Sequence, residues 1–156
     1  MSKFNEADRI GQEKAIPVIK DLFKNCELQI EQHIDDNGRI DIFVTATTQH
    51  NITKTYAIEC KDRWFSSTTY EDCMLNPDKY GWLMAYKKLG YKPLFFNSFS
   101  DDTYMIWDVS QGDWDVGMFK VPKTTVVKGE KVYEPRYLLP TDKCIAKGTL
   151  ISQPKN

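Results

Sequence analysis

Apolar residues recur along this chain with two periods, and the switch between them lays out its elements. Ala15, Ile16, Ile19, Leu22 and Phe23 fall at helical spacing and predict a helix from about residue 5 to residue 24. Asn5 is placed to cap it, with Asp8 three positions on. Gly11 and Pro17 interrupt the stripe, and an internal proline removes a backbone bond and tends to kink a helix. Two helical pieces are therefore expected. The period then falls to two. Leu28 to Ile34, Arg39 to Thr47 and Thr53 to Lys61 alternate as strands do, so side chains point to opposite faces in turn. Asp36-Asn37-Gly38 joins the first two runs, and Asn-Gly favours a tight hairpin because both residues tolerate positive φ. Thr48-Gln49-His50-Asn51 forms a polar turn between the second and third. An antiparallel three-strand meander after a helix is the expectation.

Residues 62–78 carry no clear period beyond a loop around Trp64-Phe65-Ser66-Ser67. Asn76-Pro77 opens a second helix with proline at its first position, and Gly90 closes it. Tyr80, Leu83, Met84 and Lys87 share one flank of that helix. Leu94 to Phe99 reads as a buried strand, Ser100-Asp101-Asp102 as a turn, and Thr103 to Val109 as another strand. In that last strand Tyr104, Ile106 and Asp108 oppose Met105, Trp107 and Val109. The order α-β-β-β-α-β-β predicts an α/β fold with a mixed central sheet. Beyond Gln111, the stretches 116–121, 124–127, 131–133 and 144–146 suit short strands interrupted by Pro122, Pro135 and Pro140. They predict a β-rich C-terminal extension, about residues 111–156, packed on a core of about residues 5–110 within one domain.

The length supports a single hydrophobic core, and 41% hydrophobic with 28% charged residues is a globular composition. No apolar run approaches the roughly 18 residues of a membrane span, and the first residues lack the apolar segment of a signal peptide. Cys26, Cys60, Cys73 and Cys144 are scattered, as in a reduced cytoplasmic protein; host cytoplasm is expected if the source is viral. The formal net charge of −1 excludes a chain that is basic throughout. The charge is uneven, however: residues 118–156 carry eight Lys/Arg against three Asp/Glu. A basic C-terminal third suits a phosphate-binding surface, or equally a solvated lysine-rich face. His33 and His50 lie singly near turns, so no zinc site with the cysteines is expected.

Candidate chemistry lies between Asp36 and Lys61. Strand alternation puts Ile40, Ile42 and Val44 on one face with Asp41 and Phe43 on the other. It puts Tyr56, Ile58 and Cys60 on one face of the next strand, with Ala57, Glu59 and Lys61 opposite. If these strands are neighbours, Asp41, Glu59 and Lys61 converge. Two carboxylates and an ammonium can hold a divalent cation and activate a water. The Cys60 side chain should face the core.

Asp41, seventeen intervening residues and then Glu59-Cys60-Lys61 resembles the signature of the PD-(D/E)XK nuclease superfamily. Arg39-Ile40-Asp41 stands at the Pro-Asp element without its proline, and Tyr56-Ala57-Ile58-Glu59-Cys60-Lys61 matches the hydrophobic-hydrophobic-Glu-x-Lys strand. The resemblance implies a restriction-endonuclease-like core over about residues 5–110. It implies a Mg²⁺-dependent endonuclease, with Mn²⁺ as a substitute, cutting DNA, with structured or branched DNA, as for Holliday-junction resolvases, among the candidate substrates. Asp41, Glu59 and Lys61 would be catalytic. Asp41, Glu59, the Cys60 carbonyl and Glu13 on the first helix would hold metal, and Lys79 would touch substrate. A homodimer is a further implication. The alternative is a non-catalytic nucleic-acid-binding or protein-interaction module on the same fold. A plain ion pair between Glu59 and Lys61 on a strand surface would account for the motif with no metal at all.

Overall fold

The structure is a computed structural model and describes residues 6–33, 40–122 and 131–151. The helix α1 (Glu6–Leu22) leads into β1 (Glu27–Gln32), β2 (Ile42–Thr47) and β3 (Thr53–Asp62). A short strand β4 (Asp72–Leu75) precedes α2 (Pro77–Lys88), β5 (Lys92–Ser98) and β6 (Thr103–Asp108). After a 3₁₀ turn at Val109–Gln111 come β7 (Asp115–Pro122), β8 (Lys131–Pro140) and β9 (Ala146–Thr149). The fold is mixed α/β. A six-stranded mixed sheet runs in the order β1-β2-β3-β5-β6-β9, and a second sheet of three strands runs β4-β8-β7. No helix among the described residues is long and apolar enough to cross a membrane.

The meander β1-β2-β3 is antiparallel, and β3 then pairs in parallel with β5. That parallel pair needs a crossover, which β4 and α2 supply. Alternation along the strands sends side chains into two cores. On one face Ile42, Val44, Ile58, Cys60, Leu94 and Phe96 meet Ala15, Val18 and Ile19 of α1. On the other, Ala57, Phe95 and Trp107 meet Leu83 of α2 and Leu75 and Leu139 of the small sheet. The Trp107 indole N–H donates to the Pro140 carbonyl at 2.8 Å, which ties the two sheets together.

Several expectations need correction. α1 is one unbroken helix through Pro17. The carbonyl that Pro17 cannot serve belongs to Glu13, on the exposed flank, where water can satisfy it, while Val18 and Ile19 are buried beside it. Gly11 has a packing role: a Cβ there would lie 3.2 Å from the Asp62 nitrogen, so α1 crosses β3 at close range. The alternation expected from Ile40 to Val44 fails at its start. β2 begins at Ile42, and Ile40 packs in the core opposite to the one that takes Ile42 and Val44. The C-terminal segment is more than an extension, because it supplies β9 to the main sheet and most of the second sheet. Pro135 sits inside β8 opposite Met118, beyond the reach of β4, which pairs only from Tyr137 to Pro140. A proline needs such an unpaired side. α2 matches its signals: Asn76 accepts from the Asp78 N–H at 2.8 Å, and Gly90 has φ 99°. The Asn37-Gly38 hairpin and the stretch 124–127 lie outside the described residues.

Candidate metal and phosphate site

The β2–β3 register ends at Ile42↔Ile58, so Asp41 stands just before the paired part of β2 and Glu59 just after Ile58 on β3. The Asp41 carbonyl accepts from the His33 N–H at 2.7 Å, so its backbone stays tied to the β1 side. Its side chain then reaches the end of β3. Oδ2 accepts from the Cys60 N–H at 2.9 Å, and Oδ1 accepts from Gln12 Nε2 at 3.2 Å. Both Asp41 and Glu59 are buried, each 7% exposed. Glu59 Oε2 lies 3.7 Å from Lys79 Nζ, near the start of α2. Lys61, two residues on, shares the strand face of Glu59 and is exposed. Cys60 is fully buried in the α1-side core, as its position in the alternation demands.

Glu13 does not join this group. It is turned to solvent and pairs with Arg9 at 2.6 Å. The residue that α1 presents to Asp41 is its neighbour Gln12, fully buried. Gln12 Nε2 donates to the His33 carbonyl at 2.8 Å as well as to Asp41. Both partners are acceptors, so the amide orientation follows, and Oε1 faces the other way. That oxygen is buried and accepts no hydrogen bond among the described residues. Extending the Ala15-Ile19 stripe backward by one helical step lands on Gln12, and that was the signal for it.

Arg63 is a second residue the motif does not contain. It continues the face of Ala57, Glu59 and Lys61. Its Nε donates to Asn97 Oδ1 and its Nη2 to the Met74 carbonyl, both at 2.6 Å. The guanidinium lies 6.0 Å from the centre of the Phe95 ring, and burial pulls its pKa down from the ordinary arginine value. Asn97 Nδ2 is buried and donates to no acceptor among the described residues. Asp62 faces the other way and accepts from Lys14 at 3.0 Å and Ser98 at 2.7 Å.

The oxygen donors on these neighbouring segments are the Asp41 and Glu59 carboxylates, Gln12 Oε1 and the Cys60 carbonyl. Among the described residues no three His, Cys, Asp or Glu side chains gather into a metal-holding group. A site for a hard cation does not require a third acid, because Mg²⁺ commonly binds one or two carboxylates and fills its shell with water and phosphate oxygens. Comparison of the chain with known families, curated proteins and solved structures returns no match.

Proposed function

We propose that this chain is a metal-dependent nuclease that hydrolyses phosphodiester bonds in DNA. The carrying observation is the junction at Asp41: a buried carboxylate fixed by the Cys60 N–H, next in sequence to the buried Glu59, and by a glutamine from α1. The order helix, antiparallel meander, helix and a strand parallel to the third supports a restriction-endonuclease-like core. Asp41, Glu59, the Cys60 carbonyl and Gln12 Oε1 would hold the cation. The acceptor-only Gln12 oxygen, buried with no donor among the described residues, fits a cation or its bound water better than it fits an empty core. Mg²⁺ or Mn²⁺ bound there would neutralise phosphate charge and lower the pKa of a water.

The chain's own groups divide the remaining work. The Cys60 N–H and Gln12 amide fix the Asp41 carboxylate, so no reorganisation is needed at the moment of reaction. Lys61 projects to solvent beside the acids, where its ammonium can hold the attacking water and offset charge on the phosphate. Lys79 balances Glu59 before substrate arrives and can turn to a phosphate oxygen afterwards. One observation favours a second reading. The 3.7 Å Lys79–Glu59 contact already neutralises one of the two acids, as a non-catalytic binding module would permit.

Cleavage of labelled oligonucleotides and plasmid in Mg²⁺ or Mn²⁺ decides between them. The nuclease reading expects cutting that EDTA abolishes and that falls at least about 100-fold in Asp41→Asn and Lys61→Ala. Binding without cutting, unchanged in both variants, would establish the module.

A further inference from the structure

The sharpest feature left over is the loop that follows β3. Trp64 is 83% exposed, an unusual state for a side chain whose apolar surface is among the largest of any residue. The loop beneath it is pinned. The Phe65 carbonyl accepts from the Ser100 N–H at 3.0 Å, and Asp101 Oδ2 accepts from Ser67 Oγ at 2.7 Å and Ser66 Oγ at 3.2 Å. These hydroxyls hold the Asp101 carboxyl below its ordinary pKa. Phe65 packs on Phe99, stands edge-on to Trp64 at 88°, and stands edge-on to Tyr70, also at 88°. Tyr70 is 51% exposed. Two open aromatic rings are thus mounted on one anchored phenylalanine.

Position and charge say what they would meet. The Arg63 N–H still bonds the Ser98 carbonyl, so Trp64 emerges right where the parallel pair β3-β5 ends. Clefts at the carboxyl ends of parallel strands are where α/β sheets bind ligands. Trp64 lies three positions after Lys61, a chain reach of at most about 11 Å. That reach spans about three stacked nucleotide steps at roughly 3.4 Å each. An exposed ammonium and an exposed indole within that reach suit a phosphate and a base of one strand. Inside a duplex the faces of bases are covered by their neighbours, so away from its ends an indole can stack only on a base freed from the helix, as in a single strand.

We infer that Trp64, aided by Tyr70, is a stacking platform for an unpaired base, which makes single-stranded or locally unpaired DNA the preferred substrate. This rests on the nuclease reading for its link to the site, but its test does not. Fluorescein-labelled oligo(dT) of about 15 nucleotides, close to the site size of one single-strand-binding domain, would be titrated in EDTA by anisotropy. A blunt duplex of equal length would serve as the comparison. The expected result is tighter binding of the single strand than the duplex by the wild type. Trp64→Ala should weaken the single strand by about 5- to 150-fold, equivalent to about 1–3 kcal/mol for one stacked base. Trp64→Phe should recover most of that, and duplex binding should not move. Equal losses on both DNAs, no loss on either, or no binding at all would overturn the platform. If the wild type cuts DNA but shows none of this selectivity, the platform fails alone. If selectivity depends on Trp64 but no metal supports cleavage, the nuclease reading fails alone. Trp64 contributes little to the core, and circular dichroism of each variant would verify that the fold is kept.

Discussion

Two buried carboxylates in this molecule lie almost equally far from a lysine, yet they belong to different kinds of place. Glu59 on β3 is 3.7 Å from Lys79, and Asp108 at the end of β6 is 3.8 Å from Lys92. Asp108 is served by its own turn: Oδ1 accepts from the Ser110 N–H at 3.0 Å and the Ser110 hydroxyl at 2.6 Å. It caps the 3₁₀ turn that follows it, and its burial is explained by local structure. Among the described residues, the Asp41–Glu59 junction draws on partners from further away. Its partners arrive from α1, from β3 and from α2, separated in sequence by 29, 19 and 20 residues. A buried charge satisfied within two residues is a folding device. One that three remote elements converge on is an arrangement whose cost makes sense if a ligand uses it.

The largest expected contrast is in activity. Glu59→Gln should lower metal-dependent cleavage at least about 100-fold, as loss of a cation ligand would. Asp108→Asn should leave it within about twofold. Single-turnover cleavage of both variants in Mg²⁺ measures this, and equal losses would erase the distinction.

Stability should run the opposite way. Asp108→Ala removes a capping acceptor and should cost about 1–2 kcal/mol, read as a lower urea midpoint with unchanged slope. Glu59→Gln relieves a buried charge and should be neutral or slightly stabilising in EDTA. Urea denaturation of the two proteins side by side tests this pair of signs.

The contrast also explains how much the sequence revealed. The helices, the meander and strands β5 and β6 were legible because their signals are local: a 3.6 or a 2.0 period, a proline at the start of α2, a glycine at its end. Glu59 and Lys61 were legible as neighbours on one face because alternation along β3 places them, whereas Asp41 lies just before β2, where the alternation fails. Glu13 was misjudged by one position on a helix, which is 100° of rotation and the difference between solvent and Asp41. β4 was missed because four residues carry too little pattern, and its pairing partner lies more than 60 residues on. The true length of β8 was hidden by Pro135, whose tolerance depends on which side of the strand is paired. Arg63 acquires its partners only when β4 and β5 are both in place.

Gln12 offers a way to sharpen the account of the junction itself. Gln12→Glu replaces the amide donor by a second carboxylate facing Asp41 Oδ1 and the His33 carbonyl. Without metal the like charges should repel and lower the melting temperature by a few degrees. With Mn²⁺ the added charge should restore or exceed the wild-type value. Gln12→Ala should weaken Mn²⁺ binding about tenfold, the size expected for removing one supporting group. Thermal melts with and without Mn²⁺, and Mn²⁺ titration by electron paramagnetic resonance, supply both readings. Equal Mn²⁺ response in all three proteins would remove Gln12 from the metal's surroundings.

The smallest expected effects are those of the two lysines, and they probe the comparison most finely. Lys92 is half exposed, so its pairing with Asp108 Oδ2 is weakened by solvent, and Ser110 already holds the other carboxylate oxygen. Lys92→Ala should therefore change stability by less than about 0.5 kcal/mol and activity not at all. Lys79 is more enclosed, and its partner Glu59 is nearly buried. If its role is to meet phosphate, Lys79→Ala should raise KM several-fold at low salt while kcat stays near the wild-type value, and the difference should shrink as salt screens the charge. A fall in kcat with KM unchanged would instead make Lys79 part of the Glu59 setting, and the lysine on the two carboxylates would then differ in partner chemistry rather than in access to substrate.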